Sequence, residues 1–399
     1  MNPLLQRLQP YPFERLRALH AGVAPAAGKT PINLSIGEPR HPTPPFIIEA
    51  LARGAATGLA NYPTTRGASR LRETIAGWLV RRHPPARIDA ETEVLPVLGS
   101  REALFAFAQV VADPSRPGSV VVVPNPFYQI YEGAALLAGV EAHCVNADPA
   151  ARFRHRWDAV TDDVWRRTQL LYVCSPDNPT GNVLGLDDWR RLFELSDRHG
   201  FAIASDECYS EIYVDESGPP LGALGASAVL GRAGHPRLVV FGSLSKRSNA
   251  PGLRSGFVAG DAKLIDAFLR YRTYHGSAMS AAVAEASIAA WSDEAHVVAN
   301  RALYVAKFAQ LAPRLAAALP CSVPDAGFYL WAATPGDDAK FARRLYADEN
   351  VLVLPGSFLG REAAGVNPGI GRIRIALVAS LADCAEAVER IVACAARVE

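Results

Sequence analysis

From about Val94 the chain repeats short apolar, β-branched runs: Val94–Leu98, Val120–Val123, Leu170–Cys174, Phe201–Ala204, Leu238–Phe241 and Phe257–Ala259. Runs of ~4–6 residues without polar alternation suit strands buried on both faces, as in a parallel sheet. Helical patterns separate several of them, over Glu102–Val111, Tyr128–Leu137 and Asp187–His199. This order predicts an α/β fold: a large domain with a mostly parallel sheet sandwiched by helices.

The two ends of the chain read differently. The first ~45 residues lack sustained periodicity, and Pro3, Pro10, Pro12, Pro25, Pro31, Pro39, Pro42, Pro44 and Pro45 interrupt helix or central strand. An ordered arm lying on another surface is expected there, followed by a helix starting near Pro44 and running to Arg53. In the C-terminal third a long helical pattern covers roughly Asp293–Ala318. Then come Phe328–Ala332, a helix near Asp338–Asp348, Val351–Leu354, Arg372–Val378 and a closing helix from about Leu381. Short strands mixed with helices predict a smaller α+β domain. The expected division is a large domain over residues 46–285, with residues 1–45 and 286–399 forming the arm and the small domain.

Composition narrows the class. In 399 residues, 49% are hydrophobic and 20% charged, which excludes disorder. The 41 Lys+Arg nearly balance 40 Asp+Glu, so charge gives no reason to expect nucleic acid. No apolar run approaches the ~18–20 residues of a membrane span, and the start lacks signal-peptide character; a cytoplasmic protein is expected. Cys144, Cys174, Cys208, Cys321, Cys384 and Cys394 are scattered without metal-ligand spacing, and the nine histidines form no zinc motif. Reduced thiols and no metal are expected.

In an open α/β sheet, ligands bind beyond the carboxyl ends of the strands, so the segments that follow each run carry the chemistry. These are Gly99-Ser100-Arg101-Glu102, opening a helix; Pro124-Asn125-Pro126-Phe127-Tyr128; Ser175-Pro176-Asp177-Asn178-Pro179-Thr180-Gly181; Ser205-Asp206-Glu207-Cys208-Tyr209; and Gly242-Ser243-Leu244-Ser245-Lys246, with Arg254 eight residues on. Singly, each has an ordinary explanation. A lone lysine is usually solvated, Asp206 suits a turn or cap, Asn178 beside Pro179 suits a turn, Tyr128 and Tyr209 suit packing, and Gly99-Ser100 suits a helix cap. Jointly they meet the needs of one cofactor, pyridoxal phosphate. It requires a lysine amine for its aldehyde, an acid for its ring nitrogen, and backbone N–H groups with cationic or hydroxyl partners for its phosphate.

The segments Ser175–Gly181, Ser205–Tyr209 and Ser243–Lys246 with Arg254 resemble those of class I and II aminotransferases of the aspartate aminotransferase fold. The likeness extends to Ile36-Gly37-Glu38-Pro39, to Tyr62 before Gly67 and Leu71-Arg72-Glu73, and to Arg372-Ile373-Arg374-Ile375-Ala376. The resemblance implies that Lys246 holds the cofactor aldehyde and shuttles the proton. It implies that Asp206 pairs with the ring nitrogen, that Asn178 and Tyr209 bond the ring hydroxyl, and that Tyr128 stacks on the ring, where some relatives have tryptophan. The phosphate falls to the Gly99–Arg101 backbone with Ser100, Ser243, Ser245 and Arg254. Tyr62 is implied to reach the phosphate of a neighbouring subunit, hence a homodimer with shared sites. The substrate α-carboxylate falls to Arg374 near the Gly37 backbone, with Asn178 alongside; Arg372, two residues away on the same strand face, is the alternative.

Other classes lack their signatures. There is no Gly-x-Gly-x-x-Gly, no P-loop and no Gly-x-Ser-x-Gly. A non-catalytic amino-acid sensor would carry a DNA-binding module, and the ~45 proline-rich residues ahead of the domain do not form a helix-turn-helix. Within the family, β-lyase and decarboxylase activities need the same cofactor set. The opening Leu8-Gln9-Pro10-Tyr11-Pro12-Phe13-Glu14-Arg15-Leu16 and Leu34–Pro44 are most similar to bacterial N-succinyl-diaminopimelate aminotransferases. That implies small-molecule amino-acid and keto-acid substrates of the lysine and diaminopimelate route. The alternative is an aspartate, aromatic or kynurenine-type enzyme of broad specificity. Arg40 and Arg66 are candidates for a distal carboxylate, and equally ordinary surface arginines.

Overall fold

A computed structural model describes residues 1–397. Eight strands form one sheet in the spatial order Val94–Val97, Gly256–Gly260, Leu238–Ser243, Ala202–Asp206, Thr168–Cys174, Val120–Asn125, Glu141–Asp148 and Arg154–His155. All six apolar runs are strands, within a few residues of their expected ends. Alternate residues of each central strand enter opposite cores. Val120, Val122, Leu171 and Val173 pack on one face, and Val121, Val123, Leu170 and Tyr172 on the other. Burial on both faces is why these strands read as unbroken apolar runs.

Pairing is parallel from Leu238–Ser243 across to Glu141–Asp148. Gly256–Gly260 is antiparallel to both of its neighbours, with Gly256 opposite Val97 on one side and Ser243 on the other. Its beginning therefore lies where its neighbours end. That brings Arg254, two residues before it, to the sheet edge where the other polar segments converge.

Glu141–Asp148 is a strand that no apolar run announces. It lies near the sheet margin, where only its last two residues gain a second partner, and its residues are mostly half-exposed. Helices Ser100–Val111, Ile130–Leu137 and Leu186–His199 match their patterns, whereas Ser69–Arg82, Ala262–His275 and Ala281–Ser292 were not foreseen. Ala281–Ser292 runs across the expected boundary at 285/286. Its Ala286, Ile288 and Trp291 share a core with Leu71, Ile75 and Trp78 of Ser69–Arg82, beneath the large sheet.

A third core surrounds a three-stranded antiparallel sheet, Tyr329–Ala333, Arg372–Ala376 and Leu354–Pro355, packed by helices Ala295–Ala316, Asp338–Glu349 and Leu381–Ala395. The N-terminal segment joins it: Ile32–Asn33 pairs in parallel with Val351–Leu352, and the Ala376 amide donates to the Leu34 carbonyl at 2.8 Å. The arm holds one element that its prolines concealed, the helix Pro12–His20. Pro12 opens that helix, where proline is tolerated, and the Glu14 carboxylate accepts from the Tyr11 amide at 3.2 Å. Leu16 anchors it in a small cluster with Trp331, Leu354 and Phe358.

Among the described residues no helix is long and apolar enough to cross a membrane, no cluster is suited to hold a metal ion, and the six cysteines form no disulfide.

Candidate active site

A cavity of about 480 Å³ opens at the carboxyl edge of the large sheet, with walls also from the arm and from the strand Arg372–Ala376. Lys246 lies in it on a one-turn helix, Leu244–Arg247, that follows directly from the strand Leu238–Ser243. Ser243 caps that turn, its hydroxyl accepting from the Ser245 amide at 3.1 Å and lying 2.9 Å from Ser245 Oγ. The Lys246 ammonium donates to the Gly37 carbonyl at 2.5 Å. Its pKa is pushed down from 10.5 to about 8, chiefly by burial, with Cys208 and Glu38 opposing the fall and Arg374 and Arg254 adding to it. Gly37 has no room for a side chain, because a Cβ there would collide with the Tyr329 hydroxyl.

Asp206 ends the strand Ala202–Asp206 and is buried. Its Oδ2 accepts from the Tyr131 hydroxyl at 2.7 Å and its Oδ1 from the Cys208 amide at 3.2 Å. Burial raises its pKa, while these donors and Lys246 oppose the rise. The Tyr131 ring stacks on Tyr172 at 4.7 Å between centroids, which fixes the direction of its hydroxyl.

Arg374 and Asn178 meet at 2.8 Å, Arg374 Nη1 donating to Asn178 Oδ1. That bond turns the Asn178 amide so that its NH2 is left to donate elsewhere. A second nitrogen of Arg374 donates to the Ser35 carbonyl at 2.8 Å, its guanidinium lies 4.4 Å from the Tyr329 ring centroid, and its Nε is buried with no partner among the described residues. Arg372 lies instead against Phe153 and does not line the cavity. Of the two arginines, the geometry brings Arg374 to the site. Tyr209 Oη is 2.8 Å from Tyr329 Oη, and burial pushes both phenols upward in pKa.

Gly99 caps the helix Ser100–Val111 at φ +87°, a left-handed conformation that favours glycine, and a Cβ there would strike the Arg254 guanidinium. The first helical residue, Ser100, accepts from Cys208 Sγ at 3.0 Å. At the cavity mouth Arg101 Nε donates to Tyr128 Oη at 2.6 Å and Nη2 to Tyr11 Oη at 2.9 Å, so one guanidinium joins Tyr11 of the arm to Tyr128.

Of the residues expected at the site, Gly37, Ser100, Arg101, Tyr128, Asn178, Asp206, Tyr209, Ser243, Ser245, Lys246, Arg254 and Arg374 all line this one cavity. Gly99 abuts it through Arg254. Tyr62 does not line it; its side chain is fully exposed. Arg40 and Arg66 do not line it either, and Arg66 donates to the Glu91 carbonyl. Sequence reasoning missed Tyr11, Glu38, Cys208, Tyr131 and Tyr329. Tyr131 was within reach, since it stands one helical turn after Tyr128. Tyr329 was not, because only tertiary packing sets it beside Tyr209.

Residues 29–391 match the family described as aminotransferase class I and II. The chain belongs to that family. It is similar to an aminotransferase from Neisseria meningitidis, whose crystal structure superposes with a TM-score of 0.95 at 53% identity over 98% of this chain and 99% of that one. An LL-diaminopimelate aminotransferase of Maridesulfovibrio salexigens is 32% identical across 97% of each sequence. A probable N-succinyldiaminopimelate aminotransferase from Thermus thermophilus superposes with a TM-score of 0.84 at 26% identity, covering 96% of this chain and 100% of that one.

The protein is thus an aminotransferase dependent on pyridoxal 5′-phosphate. The cavity suits that group. An amine of depressed basicity, a buried carboxylate held by two donors, and a helix start beside an arginine that has no acidic partner among the described residues share one space.

Proposed function

We propose that this aminotransferase moves the amino group of glutamate onto N-succinyl-2-amino-6-oxopimelate, in the route to diaminopimelate and lysine. One observation carries the choice of a substrate with several carboxylates. Arg101, Arg254 and Arg374 all line the cavity, and among the described residues none is paired with a carboxylate of the protein. A cofactor phosphate and an α-carboxylate account for two of these cations, and a distal carboxylate accounts for the third.

Pyridoxal phosphate, when bound, supplies an aldehyde for the amino group and a protonated ring that draws electrons from the substrate α-carbon. Lys246 Nζ takes the α-proton and returns it, a task suited to an amine held at about 8. Asp206 presents its carboxylate to the ring nitrogen. The freed NH2 of Asn178 and the Tyr209 hydroxyl hold the ring oxygen, and Tyr128 covers the ring face. Backbone N–H groups of Ser100 and Arg101, the hydroxyls of Ser243 and Ser245, and Arg254 hold the phosphate. Arg374, with the Gly37 backbone beside it, fixes the α-carboxylate. Tyr62 completes the phosphate site of the neighbouring subunit in a homodimer. Six unpaired cysteines suit a reducing cytoplasm.

The relative named an LL-diaminopimelate aminotransferase favours a second reading, with LL-diaminopimelate as the amino donor. A substrate panel on the purified enzyme separates the two. Glutamate is paired with the N-succinyl keto acid, oxaloacetate and phenylpyruvate, and 2-oxoglutarate with LL-diaminopimelate and kynurenine. The highest kcat/KM is expected with the N-succinyl acceptor; a higher value for LL-diaminopimelate, or for an acceptor with one carboxylate, overturns the proposal.

A further inference from the structure

A second polar cluster lies outside the cavity and none of its members lines it: His41, Asn249, Asn300 and Lys307. His41 lies four residues after Gly37, whose carbonyl receives the Lys246 amine. Asn300 and Lys307 stand two turns apart on the helix Ala295–Ala316, and both are buried. Lys307 has no carboxylate partner among the described residues. Its ammonium donates to His41 Nε2 at 2.8 Å and to the Leu377 carbonyl at 2.9 Å, and lies 5.0 Å from the Tyr304 ring centroid. A buried cation without an acid is costly, so this one calls for a reason.

The cation fixes the polarity of everything beyond it. An ammonium has only donors, so His41 Nε2 must accept and the imidazole proton must sit on Nδ1. Nδ1–H then donates to Asn300 Oδ1 at 2.9 Å, and Asn249 Nδ2 donates to the same oxygen at 2.9 Å. With its oxygen so engaged, Asn300 turns its NH2 to the carbonyls of Lys246 at 3.2 Å and Arg247 at 3.4 Å. A flipped Asn300 would set donor against donor at His41 and oxygen against two carbonyls. Thr43 adds a second tie, its hydroxyl donating to the Asn249 carbonyl at 2.6 Å.

We propose that the Lys307–His41–Asn300 relay positions the reactive lysine, by binding the backbone of the turn that carries Lys246 to the Gly37–His41 segment that receives its amine. His41 and Asn300 are positioning residues, and Lys307 sets their polarity. The inference rests on Lys246 being the reactive amine, and borohydride trapping of the wild-type holoenzyme tests that separately. An adduct on another lysine overturns that reading, whatever the relay variants do.

The relay itself is tested with His41→Leu, which removes both ends of the link, and His41→Gln, which keeps one acceptor and one donor. Two quantities are read on the holoenzyme: the pH midpoint of the bound cofactor's absorbance in the resting state, and kcat against KM for glutamate. For His41→Leu the midpoint is expected to move by about half a unit or more, with kcat down roughly ten- to a hundredfold and KM nearly unchanged. His41→Gln is expected to restore both towards wild type. An unmoved midpoint with wild-type kcat in His41→Leu overturns the proposal, as does equal impairment of the two variants, which would mark a packing role alone. Should His41→Leu not fold, Lys307→Met is read in the same way: the polarity is lost, the same shift is expected, and its absence overturns the proposal.

Discussion

A lysine held at about 8 is mostly an ammonium at neutral pH and mostly free amine one unit above that value. The cause is local. Burial penalises the charge, and Arg374 and Arg254 add repulsion that Glu38 offsets in part. In the apoprotein, acylation of Lys246 by an amine-selective reagent, followed by peptide mapping against pH, is expected to rise with a midpoint near 8. Exposed lysines are expected to rise near 10.4 or so, the ordinary value. The sign is fixed by the chemistry: the ammonium below the midpoint is unreactive, and the amine above it reacts. A Lys246 midpoint in the ordinary range would show that the cavity does not depress its basicity.

The helix Ser100–Val111 offers its N-terminus to the cavity because of what precedes it. Gly99 takes a left-handed conformation between the strand Val94–Val97 and the helix, and its missing side chain leaves space for the Arg254 guanidinium. Gly99→Ala is expected to carry about 1–3 kcal/mol of backbone strain and to push Arg254 aside. The proposed phosphate cradle then weakens, and titration of the apoprotein with pyridoxal phosphate is expected to show affinity lower by roughly tenfold or more. Wild-type affinity in that variant would mean that the helix start does not hold the phosphate. The arm shows a related dependence of element on context. Pro12–His20 is too short to be stable alone, and it forms with proline at its first position, Glu14 reaching back and Leu16 buried against Trp331. Proline read as an interrupter is right within elements and wrong at their first residue.

At the scale of the whole molecule, Tyr62 is an aromatic side chain that packs on nothing in its own subunit. It is fully exposed beside Asn61, Pro63 and Thr64, which are exposed as well, and contributes nothing to the cavity of its own subunit. In the proposed homodimer it serves the other site. An inactive Lys246→Ala chain refolded with an inactive Tyr62→Ala chain is therefore expected to regain activity. One site in the mixed dimer carries both lesions and the other carries neither. With heterodimer formation verified by mass, activity no greater than that of the separate variants would refute the shared site.

The central strands and the polar residues at their ends were legible in the sequence because both have local causes. Burial on two faces forces unbroken apolar runs such as Val120–Val123, and a ligand edge demands polar residues directly after them, as with Asp206 and Lys246. What depends on distant partners was not legible. The marginal strand Glu141–Asp148 has no apolar run, because the sheet covers it incompletely. Which of Arg372 and Arg374 lines the cavity is invisible in a strand whose alternate residues share a face. Contact with Asn178 and Ser35, from segments ~200 and ~340 positions earlier, decides it. Tyr329, the Tyr11–Arg101–Tyr128 bridge and the Lys307–His41–Asn300 relay likewise join residues remote in the chain. Periodicity and motif report what a residue needs from its immediate neighbours. Which hydrogen bond a side chain makes across the fold is set only when the large sheet and the small sheet, each with its packed helices, close on each other.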